Sequence, residues 1–251
     1  MLNYIQAELW RVSQRQALAM LAGVLLLLSG AYSALMSGGS YANLLAAVIL
    51  TPVMGMFLAP AVVQLVDGNG PDTLKNELSF GLTRGRVYLG KLAAALILGL
   101  ALCGVLLVFC LGGGWLLLAH DQPENERINA AVLAFALLGA LPLWCSAAGV
   151  CHLAAMNIRS PGAWVTAYYM MFFFGQPMLV VLVNLFVDRT FNIDSGGLLQ
   201  AVLLPYSLTM PQYLSGWLSW EYQLWCWGIG LGWLGGSTLL GWLLLHRRDV
   251  R

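Results

Sequence analysis

Charge is what this sequence has least of. Only 9% of its 251 residues are Asp, Glu, Lys or Arg, against about a quarter in an ordinary soluble domain. That scarcity excludes a soluble enzyme, and a 60% hydrophobic content with a mean hydropathy of +0.77 excludes a disordered chain. The few charges nearly cancel, at +1 net, so nucleic acid has no electrostatic footprint to bind. The five cysteines (Cys103, Cys110, Cys145, Cys151, Cys226) are odd in number, lie in apolar stretches and never form C-x-x-C. A disulfide framework and a zinc ribbon are both excluded, and buried thiols remain. Of three histidines, His120 and His246 sit at helix ends, and His152 adjoins Cys151. Adjacent helical residues point about 100° apart, so that pair reads as packing, not as a metal site. The sequence also has no H-E-x-x-H, no G-x-S-x-G and no Walker A motif. It therefore carries no recognisable hydrolytic centre, and ATP could drive it only through another chain.

What is present is a series of long runs without Asp, Glu, Lys or Arg: 16–66, 92–120, 128–158, 160–187 and 222–246. The first is too long for one span of about 20 residues, and Ser37-Gly38-Gly39-Ser40 divides it. Six transmembrane helices follow, at about 17–36, 42–66, 91–119, 128–156, 162–187 and 222–246. Pro52, Pro60, Pro142 and Pro177 fall inside spans, where neighbouring groups must satisfy the carbonyls they free. All of the twelve basic residues except Arg127 and Arg189 fall on one side of this scheme. The positive-inside rule makes that side cytoplasmic and puts both termini there, in a multi-pass protein of the cell membrane. Trp115, Trp217, Trp220, Trp225 and Trp227 mark the outer interface, and Trp10, Trp164 and Trp242 the inner one.

The segments between spans carry the remaining information. In 1–15, Leu2, Ile5, Leu9 and Val12 share a helical face while Asn3, Glu8, Arg11 and Arg15 fall elsewhere, the pattern of an interfacial helix. A cleavable leader ending near Ala31–Ala34 is the competing reading, against which the charged lead-in is long. The cytoplasmic loop 67–90 opens on turn residues, and Asp72 or Thr73 can cap a short helix from Leu74 to about Phe80, ended by Gly81. A second helix starts near Thr83 and runs into the third span. The short helix has mixed charge and an apolar ridge, suited to a groove on a soluble partner; a solvated loop that only fixes topology is the alternative. The external segment 188–221 is apolar from Leu198 to Leu214 but broken by Pro205 and Pro211, so re-entrant or interfacial helices are expected. The acidic loop 120–127 reads as a solvated turn.

Within the spans there is no charged residue, which argues against a proton-coupled carrier. Asn43, Gln64, Gln176 and Asn184 are the candidate polar residues of a transport cavity. Gly228, Gly232 and Gly236 form two successive G-x-x-x-G steps, a candidate helix-packing ridge.

Six spans, a lead-in helix with Glu8 and Arg11, and the run Thr73-Leu-Lys-Asn-Glu-Leu-Ser-Phe-Gly-Leu-Thr-Arg84 followed by Arg86-Val-Tyr-Leu-Gly-Lys91 together resemble the membrane subunit of an ABC type 2 export permease. The ending Leu245-His-Arg-Arg-Asp249 is similar to that family's basic tail, and 198–214 to its external re-entrant helices. The resemblance implies a non-catalytic permease that pairs with a second permease subunit, identical or different, and engages a separate ATP-binding subunit. It implies no cofactor on this chain; ATP and Mg belong to the partner. By the same resemblance, Lys75, Glu77, Leu78, Phe80 and Arg84 transmit the partner's motion. The expected cargo is amphipathic or hydrophobic, such as a peptide or antibiotic, with a lipid or glycolipid as the alternative. An ATP-independent carrier or a membrane scaffold are the other classes.

Overall fold

The computed structural model describes residues 1–49, 51–67, 77, 79, 81–158, 160–188, 195–204, 216 and 218–247, and no strand occurs among them. The helices are α1 (Leu2–Ser13), α2 (Gln16–Met36), α3 (Tyr41–Val48), α4 (Thr51–Asp67), α5 (Arg84–Leu117), α6 (Pro123–Asn157), α7 (Pro161–Phe186), α8 (Ser195–Val202) and α9 (Trp220–Arg247). Five of them, α2, α5, α6, α7 and α9, are long and apolar enough to cross a membrane. The chain is an all-α, polytopic membrane protein.

Proline chemistry shapes the stretch expected as the second span. Pro52 has no N–H for the carbonyl of Val48, and the hydroxyl of Thr51 donates to that carbonyl instead at 2.8 Å. Helix α3 ends there, and α4 begins again at Thr51. Pro60 likewise frees the carbonyl of Met56, which accepts the Tyr168 hydroxyl at 2.9 Å, while Tyr169 donates to Phe57 at 2.7 Å. A buried backbone carbonyl finds a side-chain donor from the next helix, and α4 is thereby tied to α7.

The main core is built from α4, α5, α6, α7 and α9, with Met56, Val63, Ala95, Leu143, Tyr168 and Cys226 at its centre. Trp164, expected at the inner interface, is instead part of this core and only 3% exposed. Helices α6 and α9 run parallel in the closest contact of the bundle. A Cβ at Gly230 would lie 2.6 Å from the backbone of Pro142, and one at Gly149 would lie 2.8 Å from the Ser237 hydroxyl. A smaller cluster of Tyr41, Leu44, Leu45, Val48, Cys110 and Leu133 closes the other end. Helix α2 buries no residue and stands at the edge of the bundle.

The turn before α3 has Gly38 and Gly39 at φ +52° and +85°, in the left-handed region that favours glycine. It pairs with the connector after α5: Ala119 N–H donates to Gly39, Tyr41 N–H donates to Ala119, and the Ser40 hydroxyl donates to Asp121 at 2.6 Å. His120 meets Glu126 at 3.0 Å. The 120–127 segment is largely exposed, as expected of a solvated turn, and Asp121 and Glu126 tie it to Ser40 and His120. On the way to α9, Ala201 accepts the Trp225 indole N–H at 2.6 Å and Val202 accepts that of Trp233 at 2.8 Å. Trp233 lies about 20 Å along α9 from its start, at 1.5 Å per residue. The end of α8 thus packs along the first half of α9, between the levels of Trp225 and Trp233.

Candidate functional site

The ends of α4 and α9, the start of α5 and the whole of α1 meet at one end of the bundle, and a network of charged side chains joins them. Helix α1 crosses the end of α4. Arg11 donates to the carbonyl of Val66 at 3.0 Å, and Arg15 to that of Leu65 at 2.8 Å. Those carbonyls belong to the last turn of α4, which lacks intrahelical donors and favours a cation. Glu8 forms an ion pair with Arg11 and is only 5% exposed. Sequence periodicity placed Glu8 away from the apolar face; the structure turns it inward because Tyr4, Glu8 and Arg11 serve the junction. Burial holds the Glu8 carboxyl above the usual carboxylate range, against the pull of Arg11 and Lys91 and with the push of Glu77. Burial, helped by Glu8 and Glu77, also drives the Tyr4 phenol above its ordinary value. The Tyr4 ring fits over Gly90, where a Cβ would lie 2.4 Å from it.

The loop reaches the same junction. Glu77 lies 3.1 Å from the Lys91 ammonium, whose side chain is 2% exposed. Gly81 has φ +82°, and Leu82 N–H donates to the carbonyl of Glu77 at 3.3 Å. This left-handed glycine with a closing bond five residues back is the geometry that ends a helix. Arg84, the first residue of α5, donates to the carbonyls of Leu245 and His246 at 3.0 and 3.1 Å. It caps the end of α9. Glu77 and Arg84, expected as contacts for a partner, are thus engaged within the chain. Ser79 and Arg86 are exposed beside them. Lys75, Leu78 and Phe80 lie outside the described residues.

Deeper in the same end is a pair that sequence reasoning missed. His152 is fully buried, with Nδ1 2.6 Å from Asp67 Oδ2 and Nε2 3.0 Å from the carbonyl of Tyr88. The ring of Tyr88 covers it at 4.5 Å between centroids. The Tyr88 hydroxyl occupies the space that a Cβ at Gly241 would need, only 2.1 Å away. His152 is a structural core residue, as read from the sequence, but its carboxylate partner corrects the reading of the spans as free of charge. Asp67 and Lys91 lie just outside the charge-free windows but within α4 and α5, at 8% and 2% exposure.

The other sequence candidates fall elsewhere. Asn43, Gln64 and Asn184 are exposed, while Gln176 is buried with its Oε1 lacking a hydrogen-bond partner among the described residues. Added Cβ atoms at Gly228, Gly232 and Gly236 would meet open space, so this ridge faces away from the bundle, and Gly230 and Gly241 make the close approaches. A cavity of about 480 Å³ lies between α2 and the α3–α6 face, and none of these polar candidates lines it.

No family model matches the chain, and no curated protein shows significant similarity to it. Class is accordingly carried by fold and site: a polytopic helical membrane protein with a buried ionic junction at one end.

Proposed function

We propose that this protein is the membrane-spanning subunit of an ATP-driven exporter of the ABC type 2 class, moving an amphipathic or hydrophobic substrate outward. In this reading α3 and α4 together make the sixth span, both termini face the cytoplasm of a cell-membrane protein, and two permease subunits work as a pair. A separate ATP-binding subunit, carrying ATP and Mg, engages the 67–90 loop. The supporting observation is the Glu77–Lys91 contact within the junction. A push on the loop at Glu77 is delivered to α5 through Lys91 and to α1 through Tyr4 and Glu8. From α1, the arginines pass it to the end of α4. Bistable packed elements of this kind can switch as units.

The test is purification in mild detergent and reconstitution in vesicles. We expect an ATPase with a Walker A sequence to co-purify, and transport to stop when ATP is removed. Arg86→Glu, an exposed change outside the junction, should lower recovery of that ATPase severalfold while the fold persists. A chain that behaves alone and transports without ATP would sink the reading.

A second reading has one observation in its favour. The Asp67–His152 pair is a buried group that can hold a proton, a requirement of proton-coupled carriers. Transport that follows an imposed pH gradient in ATP-free vesicles would favour it.

A further inference from the structure

The cavity between α2 and the rest of the bundle is built to hold hydrocarbon. Each hydroxyl on its wall is already satisfied by its own neighbourhood. Ser29 donates to Leu26, Tyr32 to Ala47 and Thr51 to Val48, at 3.0, 2.9 and 2.8 Å. Ser33 uses its proton on the carbonyl of Ser29, so the Cys110 thiol on the wall donates to the Ser33 oxygen, 3.0 Å away. A polar ligand entering here would lose water and find these groups occupied. The remaining wall is Leu, Val, Ala and Gly with the ring of Trp144 and the polarizable thiols of Cys103 and Cys145.

Its dimensions point the same way. On α2 the lining runs from Leu21 to Tyr32, about 17 Å at 1.5 Å per residue. One leaflet supplies about half of a hydrocarbon core of about 30 Å, so the length is that of one lipid tail. A void of about 480 Å³ left empty would forfeit dispersion contacts along every wall, and its apolar lining gives water no partners. Helix α2 buries none of its residues, so its outer side is in the bilayer, where lipid tails are the immediate neighbours.

We infer that this cavity is a binding site for a single acyl chain of a bilayer phospholipid, seated inside one subunit between α2 and α5. The inference stands whichever energy source drives the protein.

The test uses the purified full chain. cis-Parinaric acid, a fluorescent fatty acid, should bind saturably at one per chain, and unlabelled fatty alcohols should displace it with a strength that rises with chain length and then levels off. Gly99→Leu fills the cavity; a Cβ there meets only Val62 at an ordinary 3.6 Å. This variant should lose at least tenfold in affinity, whereas Leu27→Phe, on the exposed side of α2, should bind as the parent does. Native mass spectrometry of protein released from phosphatidylcholine nanodiscs should show one retained phospholipid, absent in Gly99→Leu. If Gly99→Leu does not fold, the chain-length series and the retained lipid decide on the parent protein. Lack of saturation, equal affinity in a folded Gly99→Leu, or no dependence on chain length overturns the site. Binding of the fatty acid with no retained phospholipid, or a second copy of the chain in place of lipid, overturns the assigned occupant. Failure of ATP coupling leaves all of these readouts unchanged.

Discussion

A buried hydrogen bond joins His152 to Asp67. The carbonyl of Tyr88 can only accept, so Nε2 of His152 must carry hydrogen, and Nδ1 faces the Asp67 carboxyl at 2.6 Å. Each ring nitrogen of His152 and one oxygen of Asp67 is thereby matched with a partner. This mutual pairing is how two ionisable groups are tolerated at such burial.

This relationship predicts opposite outcomes for two removals. Asp67→Asn keeps the shape and can donate its amide to a neutral His152, so stability should change by no more than about 1 kcal/mol. His152→Leu leaves the Asp67 carboxylate buried without its partner and should cost about 3–5 kcal/mol, read as a lowered unfolding midpoint in detergent. Equal losses for the two variants would refute this account of the pair. The same Asn variant separates the transport readings, since a carrier that moves protons through this pair would stop and an ATP-driven exporter would not.

Glu8 predicts how α1 responds to pH. Its folded-state pKa is raised by burial, so the folded protein binds this proton more tightly than the unfolded chain. Stability from that proton is complete below the ordinary carboxylate value of about 4.3 and is lost as pH rises through the elevated one. Docking of α1 should therefore loosen as pH rises above the ordinary carboxylate range, seen as faster amide hydrogen exchange in Leu2–Ser13 after correction for intrinsic rates. Arg11, Lys91, Glu77 and Tyr4 all face the group and set the size of the effect. Glu8→Gln mimics the protonated form and should remove the pH dependence while protecting α1 at neutral pH.

The helices were largely legible in the sequence because charge-free runs and turn residues punctuate them. Thr83 does precede α5, and Gly81 has the left-handed geometry of a helix end. The ionic junction was not legible, and the reason is distance. His152 and Asp67 are 85 residues apart, so no local period relates them. Charge-free windows also place Lys91 at a span boundary, whereas α5 begins at Arg84 and carries it into the bundle. Amphipathic periodicity failed for Glu8 because ionic contacts, not burial of apolar surface, determine which way that side chain turns. The glycine ridge shows a related ambiguity. A four-residue spacing identifies a smooth helix face but not whether a neighbour lies against it. The cavity gave no signal because its polar wall groups bond locally.

The two kinds of glycine on α9 should respond differently to substitution. Gly230→Ala puts a methyl group against the backbone of Pro142, which cannot rotate away, and should cost about 1–3 kcal/mol. Gly232→Ala points into open space and should stay within about 1 kcal/mol of the parent, with the gain in helix propensity in its favour. Unfolding midpoints measure both. A bulkier Gly232→Leu tests assembly separately. If a second permease subunit packs on this face, cross-linked dimer should fall while the subunit's own unfolding midpoint holds.

Transmission through the loop should depend on Glu77 and Lys91 as a pair. Lys91 faces Glu8 as well as Glu77, so Glu77→Gln does not strip the buried ammonium of carboxylates and should lower stability modestly. Lys91→Met is more severe, since it leaves Glu8 and Glu77 close together with less positive charge between them. The double variant should recover part of the loss, with a coupling of about 1–3 kcal/mol for groups in direct contact. Function distinguishes a transmitting contact from a merely structural one. If the pair transmits force, Glu77→Gln should still recover its ATPase partner and fold, yet transport fewer molecules per ATP hydrolysed. An unchanged ratio of transport to hydrolysis would confine the Glu77–Lys91 contact to holding the loop in place.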